Sequence, residues 1–599
     1  MARFSVGVSS SVLILGLLAA CSSLNPHRTQ YSGEWLKEPF SRNRVDDVRV
    51  RCEPNDDGAV DRACAAEIVE HSSHYDLYFA EFDDEGELYP PTPANGHAGS
   101  DIQIILESLA RTGPPFFAQG PDDPSRRLSV VVFVHGWRHS ADYEDDNVEV
   151  FRRTLAQLDA IEHTDHQGCG RKIVGIYVGW RGAGTIDPDA KTELTTFYAR
   201  KSAAERVAQG DVRALFAGLK RYQDFANARW ISKRFAEEQA LVNQPRQLQA
   251  EAAHKAPAEA KLDCDKPVRL TTIGHSFGGL IVYTSLEQGL IADVTNLQQL
   301  DRIAMAQVGT PALPREGDLV FLVNSAFEAT RFEPLLRAAA ENPTFRYHSP
   351  LLVSVTSADD SATKLAFHLA RRVGQVLERY PEGNDIEKLA NVETIGHFTP
   401  FQTHTLSTID ASRENDEAYL SLKDPLGNPR PCKRAADGVG PPPAIVQLNA
   451  YYQAMSANGF DAAGIPRLFC VSGPDVGVKG SPEINEVLVL QGITHFGASV
   501  GSPKTPPANA GVPLIPALGL PPAFAARPCT SSPADWLEAI SSLCQPNIPV
   551  WNVYTGAPIV RDHNDFANPR LLAFFLALYR EAGMAAYDQF SPMSLGGAF

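Results

Sequence analysis

The chain has 599 residues, of which 44% are hydrophobic and 21% are charged. This is the composition of an ordinary folded protein, so the chain is neither disordered nor a protein with many membrane spans. Its 71 acidic residues against 54 Lys and Arg give a net charge of −17 at pH 7. A surface of that sign repels phosphate backbones, and we therefore expect no nucleic-acid partner.

Residues 1–20 predict a signal for export. Arg3 precedes an apolar stretch that is too short to span a bilayer, and small residues then lead to Cys21. The segment resembles the signal peptide of bacterial lipoproteins, which implies cleavage before Cys21 and a lipid anchor on its thiol. Because Ser22 is not the Asp that retains Gram-negative lipoproteins at the inner membrane, the resemblance favours the outer membrane. The alternative is an ordinary secreted protein with a cysteine at this position by chance.

Eight further cysteines predict disulfides, because an even number in an exported chain suggests pairing. Pairing of sequence neighbours would give Cys52–Cys64, Cys169–Cys264, Cys432–Cys470 and Cys529–Cys544, although other connectivities stay open. No two of these cysteines have CxxC spacing, which argues against a zinc ribbon and against a redox motif.

Composition along the chain predicts a core with two long additions. Residues 21–70 are polar and irregular, as expected of a tether. The core should span 71–370, and within it 191–260 is rich in helix-forming residues. We interpret that stretch as a cap-like helical insertion, with an enlarged crossover helix as the alternative. Residues 371–549, which include Pro- and Gly-rich segments, predict an elaborated insertion, and 550–599 return to the core.

Short apolar runs alternating with helical patterns predict the α/β class. The runs are rich in β-branched residues without polar alternation, which indicates a mainly parallel central sheet with helices on both faces. We predict strands at 75–82, 87–89, 128–134, 172–178, 270–273, 318–323, 351–355 and 550–554. We predict helices at 102–110, 148–160, 280–290 and 569–579.

Ser276 is the candidate nucleophile. It stands in a Gly-His-Ser-Phe-Gly motif between a predicted strand and a predicted helix. Gly274 and Gly278 would let the strand and helix backbones approach closely around a strained turn. In this setting the motif resembles the nucleophile elbow of bacterial esterase- or lipase-like serine hydrolases with the α/β-hydrolase fold.

That resemblance implies an oxyanion hole. The strand at 128–134 ends in His135, Gly136 and Trp137. The backbone N–H groups of Trp137 and Phe277 would bind the oxyanion together. A structural turn with a packed Trp is the alternative, and we expect His135 to be structural.

The resemblance also implies a base after the last strand and an acid after an earlier one. His563 follows the strand at 550–554, and we assign it the role of base. His397, His404 and His495 are weaker alternatives for that role.

Two carboxylates compete for the role of acid. Asp359 and Asp360 both follow the strand at 351–355, and we favour Asp360. The chain order Ser276, Asp360, His563 is that of the α/β-hydrolases.

A hydrolase of this kind would cleave a small-molecule or lipid ester through a covalent acyl-enzyme, without a metal or an organic cofactor. Two alternatives stay open. One is a catalytically silent binding or scaffold lipoprotein on the same fold. The other is an acyltransferase, amidase or thioesterase that uses the same triad.

Overall fold

A computed structural model describes the chain in segments. They are residues 68–89, 100–115, 123–142, 145–163, 168–182, 193–242, 262–306, 316–340, 350–368, 371, 380, 385–410, 467–473, 484–492 and 549–583. The predicted signal peptide, Cys21, nearly all of the predicted tether and His495 lie outside these segments.

Eleven strands form one sheet. They are β1 (Val69–His71), β2 (Tyr75–Phe82), β3 (Leu128–Val134), β4 (Lys172–Trp180), β5 (Val268–His275), β6 (Leu319–Val323), β7 (Leu352–Ser357), β8 (His404–Asp410), β9 (Arg467–Gly473), β10 (Ile484–Gly492) and β11 (Val550–Thr555). Their order in the sheet is β1-β2-β4-β3-β5-β6-β7-β11-β8-β10-β9. From β2 to β8 in this order every neighbouring pair is parallel, whereas β1, β10 and β9 join antiparallel.

The central strands are covered on both faces. Every residue of β3 and of β5 is buried. Since successive side chains of a strand point to opposite faces, continuous burial requires packing above and below the sheet. The predicted α/β class with a mainly parallel sheet is confirmed.

Eight α-helices accompany the sheet in the described segments. They are α1 (Asp101–Thr112), α2 (Asp146–Glu162), α3 (Glu193–Gln209), α4 (Val212–Val242), α5 (Phe277–Ala306), α6 (Ala329–Ala340), α7 (Asp385–Val392) and α8 (Pro569–Ala582). Side-chain caps fix two of the starts, because Ser100 accepts from the Gln103 N–H and Asp145 from the Asn147 N–H. Helices α3 and α4 occupy the region predicted as a helical insertion.

The predicted boundary between tether and core needs correction. Strand β1 begins at Val69, inside the range 21–70 that we assigned to the tether, and it pairs with β2. The sequence conceals this strand because it contains Glu70, a residue that seldom enters a core. Glu70 is buried and receives a two-pronged hydrogen bond from Arg152, both contacts being 2.9 Å, so its charge is compensated. The predicted strand at 87–89 is reduced to one isolated bridge, Leu88 to Phe82.

The interval 371–549 is also closer to the core than predicted. Three of its segments, β8, β9 and β10, extend the central sheet beyond β11. Strand β8 has only two aliphatic residues, Leu406 and Ile409, three positions apart, and Leu406 is part of the buried core. Such a strand is hard to recognise without its partners, which lie far away in the chain.

One predicted disulfide is present, between Cys169 and Cys264, and it links positions 95 residues apart. Each of the other three predicted pairs includes at least one cysteine outside the described segments. These cysteines are Cys52, Cys64, Cys432, Cys529 and Cys544. No helix among the residues that the structure describes is long and apolar enough to cross a membrane.

Candidate active site

Ser276 occupies a strained turn between β5 and α5. Its φ angle is +55°, a left-handed conformation that is uncommon for serine. Hydrogen bonds to the next strand hold the turn: the Ser276 N–H donates to the Val323 carbonyl at 3.0 Å, and the Ser276 carbonyl accepts from Ala326 N at 3.1 Å. The backbone is therefore fixed on both sides of the serine, which is the condition under which such strain persists.

Two glycines allow the loop after β3 to reach this turn. A Cβ atom on Gly136 would lie 2.7 Å from the Cβ of Ser276, and one on Gly278 would overlap the carbonyl of Val134. Larger residues at either position would force the two segments apart. The end of β3 therefore lies directly against the serine.

Ser276, His563 and Asp360 form a continuous line of hydrogen bonds. His563 Nε2 lies 2.7 Å from Ser276 Oγ, and His563 Nδ1 lies 2.9 Å from Asp360 Oδ2. An ionised carboxylate can only accept, so Nδ1 carries the proton and Nε2 is left to accept from the serine hydroxyl. The three side chains follow β5, β7 and β11, whose C-terminal ends meet at one edge of the sheet.

Asp360 is held in its ionised form. Burial acts to raise its pKa, but hydrogen bonds from His563 and Thr363 outweigh burial, and the pKa lies below the ordinary value of 3.8. One carboxylate oxygen also accepts from the Ala362 N–H at 2.9 Å. The competing Asp359 points elsewhere and accepts from the Ala557 N–H at 3.0 Å. Of the two candidate acids, the structure brings Asp360 to His563.

Two residues that the sequence analysis did not select hold the backbone of the His563 loop. His275 Nε2 lies 2.8 Å from the His563 carbonyl oxygen. Asn324 Nδ2 donates to the carbonyls of Asp562 and His563, both at 3.1 Å. Burial lowers the pKa of His275 to about 3, so the ring is neutral at ordinary pH. Both side chains bond to backbone carbonyl oxygens. The only sequence signals for them are that His275 directly precedes the nucleophile and that Asn324 directly follows a strand.

Asn324 links three strand ends. Its φ angle is +45°, and its side-chain oxygen accepts from the Ser357 N–H at 3.0 Å. Asparagine tolerates this left-handed conformation better than most residues. Asn324 follows β6, Ser357 ends β7 and His563 follows β11, so one amide fixes the base relative to two neighbouring strands.

One predicted oxyanion donor, Phe277, follows Ser276 in the chain, and the other, Trp137, follows Gly136, which lies against Ser276. Phe277 is the first residue of α5, where N–H groups have no partner within the helix. Trp137 follows Gly136, whose carbonyl lies 2.9 Å from His135 Nδ1. His135 Nε2 accepts from the Trp180 N–H at 3.0 Å, which fixes the tautomer and makes His135 structural, as expected. The role of the Trp137 and Phe277 amides remains a prediction.

Helix α3 packs against Phe277, the residue after the candidate nucleophile, through one aromatic ring. The centroid of the Phe197 ring lies 5.7 Å from that of Trp137, 5.1 Å from that of Phe277 and 6.0 Å from that of Phe367. Phe197, Phe277 and Phe367 are buried. The region predicted as a cap-like insertion thus supplies an apolar wall beside the residue that follows Ser276.

Two of the other candidate bases, His397 and His404, have partners other than Ser276, and the third, His495, lies outside the described segments. His397 Nε2 lies 3.0 Å from Thr363 Oγ1, and burial lowers its pKa to about 4. His404 lies in β8, where its Nδ1 is 2.8 Å from Thr403 Oγ1 and its ring packs on Trp551.

Within the described segments, no group of three or more His, Cys, Asp or Glu side chains is placed to hold a metal ion. Comparison with models of protein families, with curated proteins and with solved structures finds no match for this chain. A functional assignment therefore depends on the geometry of the site itself.

Proposed function

We propose that this protein is a serine hydrolase of the α/β-hydrolase fold that cleaves ester bonds through a covalent acyl-enzyme. The observation that carries the proposal is the line from Ser276 Oγ through the His563 ring to Asp360, with contacts of 2.7 and 2.9 Å. Nucleophile, base and orienting acid each sit within hydrogen-bond reach of the next, as this chemistry requires.

The mechanism follows from these contacts. His563 Nε2 takes the proton of Ser276 as Oγ attacks the ester carbonyl carbon, and Asp360 stabilises the imidazolium that forms. The Trp137 and Phe277 amides would donate to the oxyanion, each contributing about 3 kcal/mol. His563 then protonates the leaving alcohol, and the acyl group remains on Ser276. In the second half, His563 activates a water molecule, which releases the acid and restores the serine.

The first test measures hydrolysis of p-nitrophenyl esters of short to long acyl chains by residues 22–599. We expect Ser276→Ala to lower kcat at least roughly 10³-fold, because the variant lacks the hydroxyl that His563 would activate. Ser232→Ala is the matched control, because Ser232 is exposed on α4 and bonds only within its helix, to the Ala228 carbonyl at 2.9 Å.

Covalent labelling by a fluorophosphonate separates the remaining alternatives. A labelled protein without turnover of oxygen esters would favour an acyltransferase, amidase or thioesterase, which acceptor alcohols, amides and thioesters would then resolve. A folded protein that neither labels nor turns over would favour the binding or scaffold lipoprotein instead.

We further propose that the chain is exported and anchored by a lipid on Cys21. The Cys169–Cys264 disulfide supports an oxidising compartment, where such bonds persist. Incorporation of labelled palmitate by the wild type, and its loss in Cys21→Ala with release from the membrane fraction, would test the anchor.

A further inference from the structure

The carboxylate of Asp360 has a full set of hydrogen-bond donors. Its Oδ1 accepts from the Ala362 N–H at 2.9 Å and from the Thr363 N–H at 3.1 Å. Its Oδ2 accepts from His563 Nδ1 at 2.9 Å and from the Thr363 hydroxyl. Two donors on each oxygen use the four lone-pair sites of a carboxylate. Because Asp360 is completely buried, the loss of one donor would leave a buried lone pair unsatisfied.

The hydroxyl of Thr363 has a fixed direction. Since the ionised carboxylate can only accept, the single hydroxyl proton of Thr363 points to Asp360 Oδ2. Thr363 Oγ1 is therefore the acceptor in its second contact, with His397 Nε2 at 3.0 Å. Burial lowers the pKa of His397 to about 4, so the neutral ring has one N–H, and this contact places it on Nε2. His397 thus donates to Thr363, and Thr363 donates to Asp360.

The turn that carries His397 is fastened to the central sheet. Asn552 Nδ2, on β11, donates to the Ile395 carbonyl at 2.7 Å. A Cβ atom on Gly396 would overlap Thr356 Oγ1, so the turn lies directly against β7. The backbone of His397 is therefore fixed to the two strands that precede the acid and the base of the candidate triad.

From these contacts we propose that Thr363 and His397 are positioning residues of the candidate triad. The Thr363 hydroxyl, itself held by His397, keeps Asp360 Oδ2 directed at His563. This role rests on the proposed hydrolase function. When His563 becomes an imidazolium, a carboxylate that had rotated away would stabilise the new charge less. The interval 371–549, which supplies His397, thereby takes part in the site.

The first test compares two changes at position 363. Thr363→Val keeps the branched shape and removes the hydroxyl, whereas Thr363→Ser keeps the hydroxyl and removes a methyl group. On the p-nitrophenyl ester that the wild type cleaves best, we expect Thr363→Val to lower kcat about tenfold or more and to leave KM nearly unchanged. This is the usual effect of losing a hydrogen bond to a charged group in the transition state. Thr363→Ser should keep most of the wild-type kcat.

Thr154→Val is the matched control. Thr154, like Thr363, is buried, and its hydroxyl donates within its own helix, α2, to the Val150 carbonyl at 2.9 Å. Its kcat should equal that of the wild type. A Thr363 side chain needed only for packing would give the opposite order of variants. Thr363→Ser would then lose at least as much kcat as Thr363→Val, which would overturn the role.

A double variant shows whether Thr363 acts through the acid. Asp360→Asn already lacks the carboxylate that the hydroxyl orients. In that background, Thr363→Val should therefore lower kcat by no more than about twofold. A further tenfold loss there would overturn the role, because the hydroxyl would then act independently of Asp360.

His397 is tested with a second pair of variants. His397→Gln keeps an N–H donor for Thr363 Oγ1, whereas His397→Leu has none. We expect His397→Leu to lower kcat about fivefold, the usual effect of losing a neutral hydrogen bond, and His397→Gln to lower it less. If Thr363→Val does not fold, this pair decides alone, and an equal kcat in its two members overturns the role.

The possible failures are distinguishable. If the wild type hydrolyses esters and Ser276→Ala does not, but Thr363→Val keeps the wild-type kcat, the positioning role is overturned and the hydrolase function stands. If the wild type is labelled by a fluorophosphonate but cleaves no oxygen ester, the same order of variants is expected in the rate of labelling, and equal rates overturn the role. If the wild type neither hydrolyses an ester nor is labelled, both proposals fail.

Discussion

The two ends of the central strands carry polar clusters of opposite character. At the C-terminal edge, Ser276, Asn324 and Arg138 have φ angles of +55°, +45° and +68°, and they follow β5, β6 and β3. No other non-glycine residue in the described segments has a positive φ angle. Strained backbone is therefore confined to the edge that holds the candidate triad.

The N-terminal edge is unstrained and ionic. Glu162, at the end of α2, accepts from Arg171 Nη1 at 3.1 Å, from Arg269 Nη1 at 3.2 Å and from the Tyr579 hydroxyl at 2.7 Å. Glu162, Arg171 and Arg269 are completely buried. The Cys169–Cys264 bond lies beside Arg171 in the chain and joins the segments that lead into β4 and β5.

The two edges of the sheet therefore differ in what their side chains contribute. Buried ion pairs and a disulfide stabilise the strand starts, while the strand ends hold side chains in positions that cost free energy. Because the N-terminal edge is rigid, the strained backbone at the C-terminal edge can persist. Substitutions at the two edges should therefore change different measured quantities.

Asp360→Asn should have the largest effect. We expect kcat on p-nitrophenyl esters to fall about 10⁴-fold, because the amide no longer favours the productive tautomer of His563. Asp359→Asn, one residue away, should change kcat little. An equal fall in kcat in both variants would mean that a change in the loop conformation, and not the Asp360 carboxylate, is the cause.

Breaking the Cys169–Cys264 bond should have the next largest effect, and it should lower stability and not kcat. A closed loop of 95 residues corresponds to about 4–5 kcal/mol of unfolding free energy. Denaturant unfolding of Cys169→Ser against wild type measures this. The kcat at a temperature well below the Tm should stay near the wild-type value. A large loss of kcat in the folded variant would contradict the separation of the two edges.

Glu162→Gln should destabilise the protein by about 3–5 kcal/mol, because it leaves two buried arginines without their carboxylate. Burial acts to raise the pKa of Glu162, but Arg171 and Arg269 outweigh it and lower the pKa below its ordinary 4.5. A lowered folded pKa means that this stabilisation is present above pH 4.5 and is lost as the pH falls through the folded value. The wild type should thus lose stability below pH 4.5 more steeply than the variant. Glu107→Gln, at an exposed position of α1, should leave both quantities unchanged.

Asn324→Ala should have the smallest effect, a fall in kcat of about 10- to 100-fold, because the His563 loop loses two hydrogen bonds and shifts. Alanine is itself strained at a positive φ angle, so stability should also fall by about 1–2 kcal/mol. Asn324→Gly removes the same bonds without that strain. If glycine restores kcat, the side-chain amide does not position the base.

Much of the site could be predicted because each triad member follows an apolar strand. Ser276 has a glycine motif around it, and Asp360 and His563 stand on the first loop after β7 and β11. Asn324 and His275 could not be identified in this way, because their partners are carbonyl oxygens, which every residue has. Their function depends on which loops the sheet brings together, and a single sequence does not contain that information.

The strands predicted correctly are those buried on both faces. Strand β1 was missed because Glu70 looks like a surface residue until Arg152 is placed beside it. Strand β8 was missed because its parallel partner β11 begins 140 residues after it ends.

The position of β11 also limits the order in which the chain can fold during its synthesis on the ribosome. Among the described strands this one is the last in sequence, yet it lies between β7 and β8 in the sheet. The unit of β8, β10 and β9 can therefore join the rest only after Val550–Thr555 has been made. The same final stretch delivers His563, so a chain that stops early would lack both the closing strand and the base. A fragment that ends before His563 should therefore lack the proposed hydrolytic activity.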